Sequence, residues 1–159
     1  MTVRPLSPLA LLALATTSAC VAFVPATHDP RALAAAEAKR TCPGARDDVA
    51  SIAPVDAVEP LYVRRPSKSG HDTHLLGARL RLRPVAGVTP ELLERALRCH
   101  QARAALGEIA HAEDDPWVVR GVWVKIEVEG HGAELIASVA SDRGEEARAI
   151  LAHATRARR

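Results

Sequence analysis

Apolar and charged side chains alternate along two stretches of this chain, and that alternation restricts the fold more than any other feature. From Leu75 to Pro84, Leu80 and Leu82 fall on one side of an extended backbone, and Arg79, Arg81 and Arg83 on the other. From Val122 to Glu129 the pattern returns, with Val122, Val124, Ile126 and Val128 opposed by Lys125, Glu127 and Glu129. A period of two with one charged side is the signature of a sheet that is packed on one face and wet on the other. Each alternating run has a companion. Leu61–Arg64 reads as a short strand before the first, across a polar connection from Ser67 to Asp72. Ala133–Ala140 follows the second across the turn Gly130-His131-Gly132, with Leu135, Ala137 and Val139 directed inward.

A helix follows each pair. Thr89-Pro90-Glu91 supplies a cap, a first-turn proline and an acidic first turn, and Gly107 fits the end. Asp142 with Glu145 forms a capping-box pattern before the last helix, in which Ala147, Ile150, Leu151 and Ala154 recur at i, i+3, i+4 and i+7. Strand, strand, helix, twice over, predicts an α+β domain: an antiparallel sheet of about four strands with two helices on one face. A short N-terminal helix comes first, capped by Asp29-Pro30, running Arg31–Arg40 and stopped by Cys42-Pro43-Gly44. It is helical by propensity and barely amphipathic, so loose packing is expected. Residues 45–60 read as a loop. Arg79, Arg81 and Arg83 are expected to lie opposite Glu127 and Glu129. The order of elements resembles a circularly permuted ferredoxin-like sandwich, a likeness of fold that implies no function.

The 159 residues carry 21 Lys+Arg against 19 Asp+Glu, a net charge of +2. No basic excess marks a nucleic-acid binder, and the four aromatic residues (Phe23, Tyr62, Trp117, Trp123) are too few for a base-stacking platform. No nucleic-acid partner is expected.

The amino terminus points to an address. Arg4 precedes an apolar run, Leu9–Ala15, too short to span a bilayer and suited to a signal-peptide core. Thr17-Ser18-Ala19-Cys20 then places small residues before a cysteine, which resembles the lipobox of bacterial lipoproteins, with Thr17 where leucine is usual. The resemblance implies that Cys20 is acylated, that residues 1–19 are removed, and that the chain is held in a membrane by lipid. Val21, rather than aspartate, after the cysteine points to the outer membrane, with the domain facing the periplasm. A plain secretory signal cut near Ala19 or Ala22, or an uncleaved anchor from Leu6 to Val24, are the alternatives. The organisation expected is therefore a signal peptide at 1–19, a lipidated cysteine and tether at 20–28, a short helix and loop at 29–58, and the α+β domain at 59–159.

With Cys20 given to lipid, Cys42 and Cys99 remain in a compartment that favours oxidation. Their pairing would pin the leading helix to the helix Thr89–Leu106; a buried free thiol at Cys99, on a stripe with Leu92, Ala96 and Leu106, is the alternative. A competing reading is a periplasmic metal-binding or thiol redox module built from Cys42, Cys99, His100 and one of His71 and His74. It lacks the C-x-x-C or H-E-x-x-H spacing that makes a metal site specific. His100 falls near an inward stripe of Leu93, Leu97 and Ala104, where a hydrogen-bonded core histidine is the commoner outcome. Glu113-Asp114-Asp115 reads as a charged surface turn.

There is no G-x-S-x-G, no Walker loop and no G-x-G-x-x-G after a strand, so neither catalysis nor a cofactor is expected. A Cys99–His100 nucleophile and base is disfavoured because adjacent helical positions point in different directions. The stretch from Gly77 to Gly107, with its helix containing Cys99-His100, resembles a group of small bacterial envelope proteins of uncharacterised function. That resemblance implies a shared domain and no activity. In that group a further cysteine stands in the loop before the third strand; here Asp115-Pro116-Trp117 has none, which leaves Cys42 as the partner for Cys99. The function expected is a lipid-anchored structural or interaction module of the cell envelope, whose partner is an envelope protein or a cell-wall component.

Overall fold

A computed structural model describes residues 29–45, 54–110, 115–132 and 134–157. Helix α1 (Pro30–Thr41) leads into the hairpin β1 (Val55–Ser67) and β2 (Gly70–Leu82). Helix α2 (Pro90–Leu106), the hairpin β3 (Lys125–His131) and β4 (Glu134–Ala140), and helix α3 (Gly144–Ala157) follow. The sheet runs β1-β2-β4-β3 with every neighbouring pair antiparallel. The fold is α+β, and this strand order is the one a circularly permuted ferredoxin-like sandwich requires.

One face of the sheet is the core. Ala78, Leu80 and Leu82 of β2 register against Val139, Ala137 and Leu135 of β4, and Ile126 and Val128 of β3 continue the rows. Against them pack Leu93, Ala96 and Leu97 of α2 and Ile150 and Ala154 of α3, all buried in a single cluster. Trp117, Val118 and Val119, from the segment before β3, extend it. Truncating a leucine such as Leu80 in such a core typically costs about 2–5 kcal/mol.

Helix α2 starts as its sequence dictates. Thr89 Oγ1 accepts from the Leu92 amide at 3.2 Å, and Gly107 closes the other end at φ +79°. Hydrogen bonds from its own backbone amide and from Thr89 hold the Glu91 carboxyl below the usual carboxylate range. Helix α3 is capped differently from the capping box at Asp142. Ser141 Oγ accepts from the Arg143 amide at 3.2 Å and donates to Glu146, while Asp142 projects into solvent and meets Arg65 of β1.

Three other expectations are corrected. The first strand is 13 residues long, not four, and the expected polar connection is a tight turn at Lys68-Ser69 inside a long hairpin. β4 pairs with β2 only over Gly77–Leu82, so Tyr62–Leu75 extends past the sheet as a two-stranded arm with most side chains exposed. Among the described residues the arm's contact outside itself is an exposed one, Arg65 with Asp142, so no buried face imposes a period on its sequence. The arginines of β2 do not face the acids of β3, because β4 lies between them: Glu127 registers with Ser138 and Glu129 with Ile136. Arg81 instead meets Glu59 at 3.4 Å and Glu134 at 3.8 Å, and Arg83 meets Asp56 at 2.6 Å. At this exposure such pairs contribute about 0–1 kcal/mol each.

Gly77 is the backbone constraint at the centre. Its φ is +152°, and a Cβ there would lie 2.1 Å from the Val139 carbonyl oxygen and 3.2 Å from Ile150 Cγ2. Gly77→Ala is therefore expected to lower unfolding stability by at least about 2 kcal/mol in urea titrations. Gly87→Ala, also at positive φ (+78°) but with open space around it, should cost only about 1 kcal/mol. Equal losses at the two sites would refute the close approach of β4.

Candidate functional site

Helix α2 has two working sides. Its apolar side enters the core; along another side Glu94, Arg98 and Gln101 stand at i, i+4 and i+7, in one line. Glu94 Oε2 accepts from the Val128 amide of β3 at 3.0 Å, and Oε1 accepts from Arg98 at 3.0 Å. Gln101 is 2% exposed and donates through Nε2 to the Val124 carbonyl at 3.1 Å. The helix thus satisfies backbone groups at two points along β3, an edge strand of the sheet, which also shields that edge.

The same line of residues receives α1. Ala34, Glu37 and Thr41 are the buried side of that helix. Arg98 Nε lies 3.5 Å from Glu37 Oε1, and Arg40 pairs with the other carboxylate oxygen. Thr41 Oγ1 donates to the Glu37 carbonyl at 2.8 Å. Beyond the helix end, Cys42 and Cys99 bring their sulfurs within bonding distance (2.12 Å), with Cα atoms 4.9 Å apart. The loose packing expected of α1 is not what the structure has. A helix with one buried alanine gains little from apolar burial; charge pairing and the sulfurs hold it.

Helix α1, the start of β3 and the turn into α3 enclose a groove of about 440 Å³. Half-buried Trp123 lines it beside Glu37, Arg40, Arg98, Ser141 and Glu146. A second groove of about 400 Å³ adjoins it, sharing Pro30, Gln101 and Gly121. In the first, the charges are paired with one another, Arg143 with Glu146 at 3.3 Å and Lys125 with Glu127 at 2.7 Å besides those already named. Ser141 is hydrogen-bonded to Glu146 in the cap of α3, with no histidine beside it.

The residues singled out in the sequence are scattered. Cys20 lies outside the described residues, as do Glu113 and Asp114. Cys99 Sγ is directed at Cys42, whereas His100 Nε2 lies 2.6 Å from Asp115 Oδ2. Asp115 is no surface residue: its side chain is 10% exposed, and Oδ1 accepts from the Trp117 amide at 3.0 Å. His71 and His74 are exposed on the arm of β2, three apart on a strand and so on opposite faces. Among the described residues no three His, Cys, Asp or Glu side chains are grouped to hold a metal ion. Of the metal or redox set, Cys42 and Cys99 face each other, and neither is grouped with His100, His71 or His74 as metal ligands. Sequence reasoning missed Glu37, Arg98, Gln101 and Trp123. The spacing of Glu94, Arg98 and Gln101 was visible, but a polar line on a helix ordinarily marks a solvated side.

Comparison with known proteins finds no matching family model, no matching curated protein and no matching solved structure.

Residues 42 and 99 are 57 apart in sequence, so a bond between them closes a loop worth about 4 kcal/mol in the chain-entropy account. Replacing both by alanine is expected to cost about that much. Hydrogen exchange should show the loss first in α1, whose amides speed up while those of β2 and β4 stay protected. Uniform acceleration across the sheet would mean that α1 is not fastened separately.

Proposed function

We propose that this protein is a lipid-anchored module of the cell envelope, held in the outer membrane through Cys20 with its domain in the periplasm. It acts by binding an envelope protein or a cell-wall component and catalyses no reaction. The observation that carries the reading is where the fastening sits. Helix α1 begins ten residues after Cys20, and it is the element that Cys42 and Cys99 join to α2. A membrane tether would attach at α1, and a short Ala-rich helix is marginal by itself. A covalent link to α2 passes any pull on the tether into the core. Such a link also fits an oxidising compartment.

Two further features support it. Among the described residues no helix is long and apolar enough to cross a membrane, so attachment in this reading rests on residues before Asp29. The groove beside α1, with paired charges and Trp123, offers the kind of mixed lining that protein and polysaccharide partners use.

Cys20→Ser is expected to abolish labelling by a radioactive fatty acid in a bacterial host and to leave the leader uncut or the chain soluble; persistent labelling would refute the anchor. Intact-mass measurement of the exported chain should show a mass two hydrogens below that of the reduced form and no bound metal. Free thiols with a stoichiometric metal would instead favour the redox or metal reading.

A further inference from the structure

We infer that the groove between the start of α1, the C-terminal half of α2 and the segment Val118–Val122 is a docking surface for the anionic headgroups of the bilayer that holds the tether. The inference rests on the lipid-anchor reading for its geometry and on the residues of the groove for its chemistry. Asp29 lies nine positions after Cys20, so the tether reaches at most about 30 Å. The part of the domain nearest its attachment is the surface around Pro30, which lines both grooves, and of the two it is this one that has Arg31 and Arg120 in its wall.

The lining suits that location. Ala104 and Val119 are buried in its floor, and Leu106 and Val122 are half-buried beside them. Above this apolar base stand Arg31 and Arg120, both exposed, and neither side chain has an ion pair or hydrogen bond among the described residues. Asp29 and Glu108, adjacent in sequence to the lining residues Pro30 and Gly107, have other partners. Asp29 caps α1 by accepting from the Arg31 amide at 2.9 Å, and Glu108 pairs with Arg103. Most other arginines on the domain are neutralised by a carboxylate: Arg40 and Arg98 by Glu37, Arg65 by Asp142, Arg81 by Glu59, Arg83 by Asp56. Two unneutralised guanidiniums over an apolar floor match a layer in which phosphates overlie acyl chains. Arginine binds phosphate in a fork and lays its stem along apolar surface.

The contact would turn a domain swinging on a flexible leash into one with a fixed attitude.

The test uses the mature chain, residues 20–159, made without acylation by Cys20→Ser, so that binding does not depend on the anchor. It is sedimented with vesicles of phosphatidylglycerol and phosphatidylcholine in equal parts, and with phosphatidylcholine alone. Expected is binding to the anionic vesicles that weakens as salt is raised. Removing both Arg31 and Arg120 (R31A/R120A) should reduce partition about 25-fold, roughly fivefold per guanidinium. R64A/R79A removes the same charge from exposed, unpaired positions on β1 and β2, and should leave partition unchanged. No binding, equal binding to the two vesicle types, or equal losses in the two variants would each overturn the inference. Fatty-acid labelling of Cys20 is scored separately: its loss with vesicle binding intact would sink the anchor and leave the groove standing.

Discussion

The sheet depends on how closely β4 approaches β2 at Gly77. β4 comes late in the chain yet lies at the centre, hydrogen-bonded to β2 on one side and β3 on the other. The Val139 carbonyl occupies the space a side chain at Gly77 would need, and Ile150 of α3 presses on the same spot. Next to it Ala78 and Ala137 are fully buried small residues, which lets Leu80, Leu82, Leu93 and Leu97 interdigitate. A β2 register shift at Leu61/Tyr62 releases the hairpin from the sheet immediately beyond this point. Because the central pairing joins residues some 60 apart in sequence, the N-terminal hairpin has no second partner until the C-terminal one is made.

Helix α2 carries the other half of the architecture. One side buries Leu93, Ala96 and Leu97 against the sheet; the Glu94–Arg98–Gln101 line satisfies the edge of β3 and receives α1. Glu37 is the point where these roles meet. It is 8% exposed and pairs with Arg40 of its own helix and with Arg98 of α2, and the second pair favours one docking position for α1 over sliding along α2. Buried ionic groups are often weak contributors to stability and stronger contributors to a unique geometry. With the sulfurs of Cys42 and Cys99 alongside, the helix nearest the proposed tether is fastened by polar and covalent means, in contrast to α3, which is seated by Ile150 and Ala154 in the core.

Much of the fold was legible because it follows from local rules. Alternation from Arg79 to Leu82 and from Lys125 to Val128 gave both inner rows, Thr89-Pro90 and Gly107 bounded α2, and Asp29-Pro30 opened α1. β1 was read too short for a physical reason. It is an edge strand with Pro60 and Pro66 in it, tolerated because only one of its sides is hydrogen-bonded, and such a strand needs no strict alternation. Of the site, Cys42, Cys99 and His100 were visible as residue types. The roles of Glu37, Gln101 and Asp115 were not, since a carboxylate or amide on a helix or in a turn looks solvated until its neighbour is known.

Sequence by itself determined the inner rows of the sheet, the two ends of α2 and the start of α1, and that the chain builds a one-sided antiparallel sheet, because side-chain period and capping are properties of a few consecutive residues. Only the tertiary structure decided that β4 separates the arginines of β2 from the acids of β3, that His71 and His74 stand apart from His100, and that Arg31 and Arg120 have no ion pair among the described residues. Those outcomes depend on which distant segments become neighbours, and the free energy of a charge or a hydrogen-bonding group is set by what surrounds it in space.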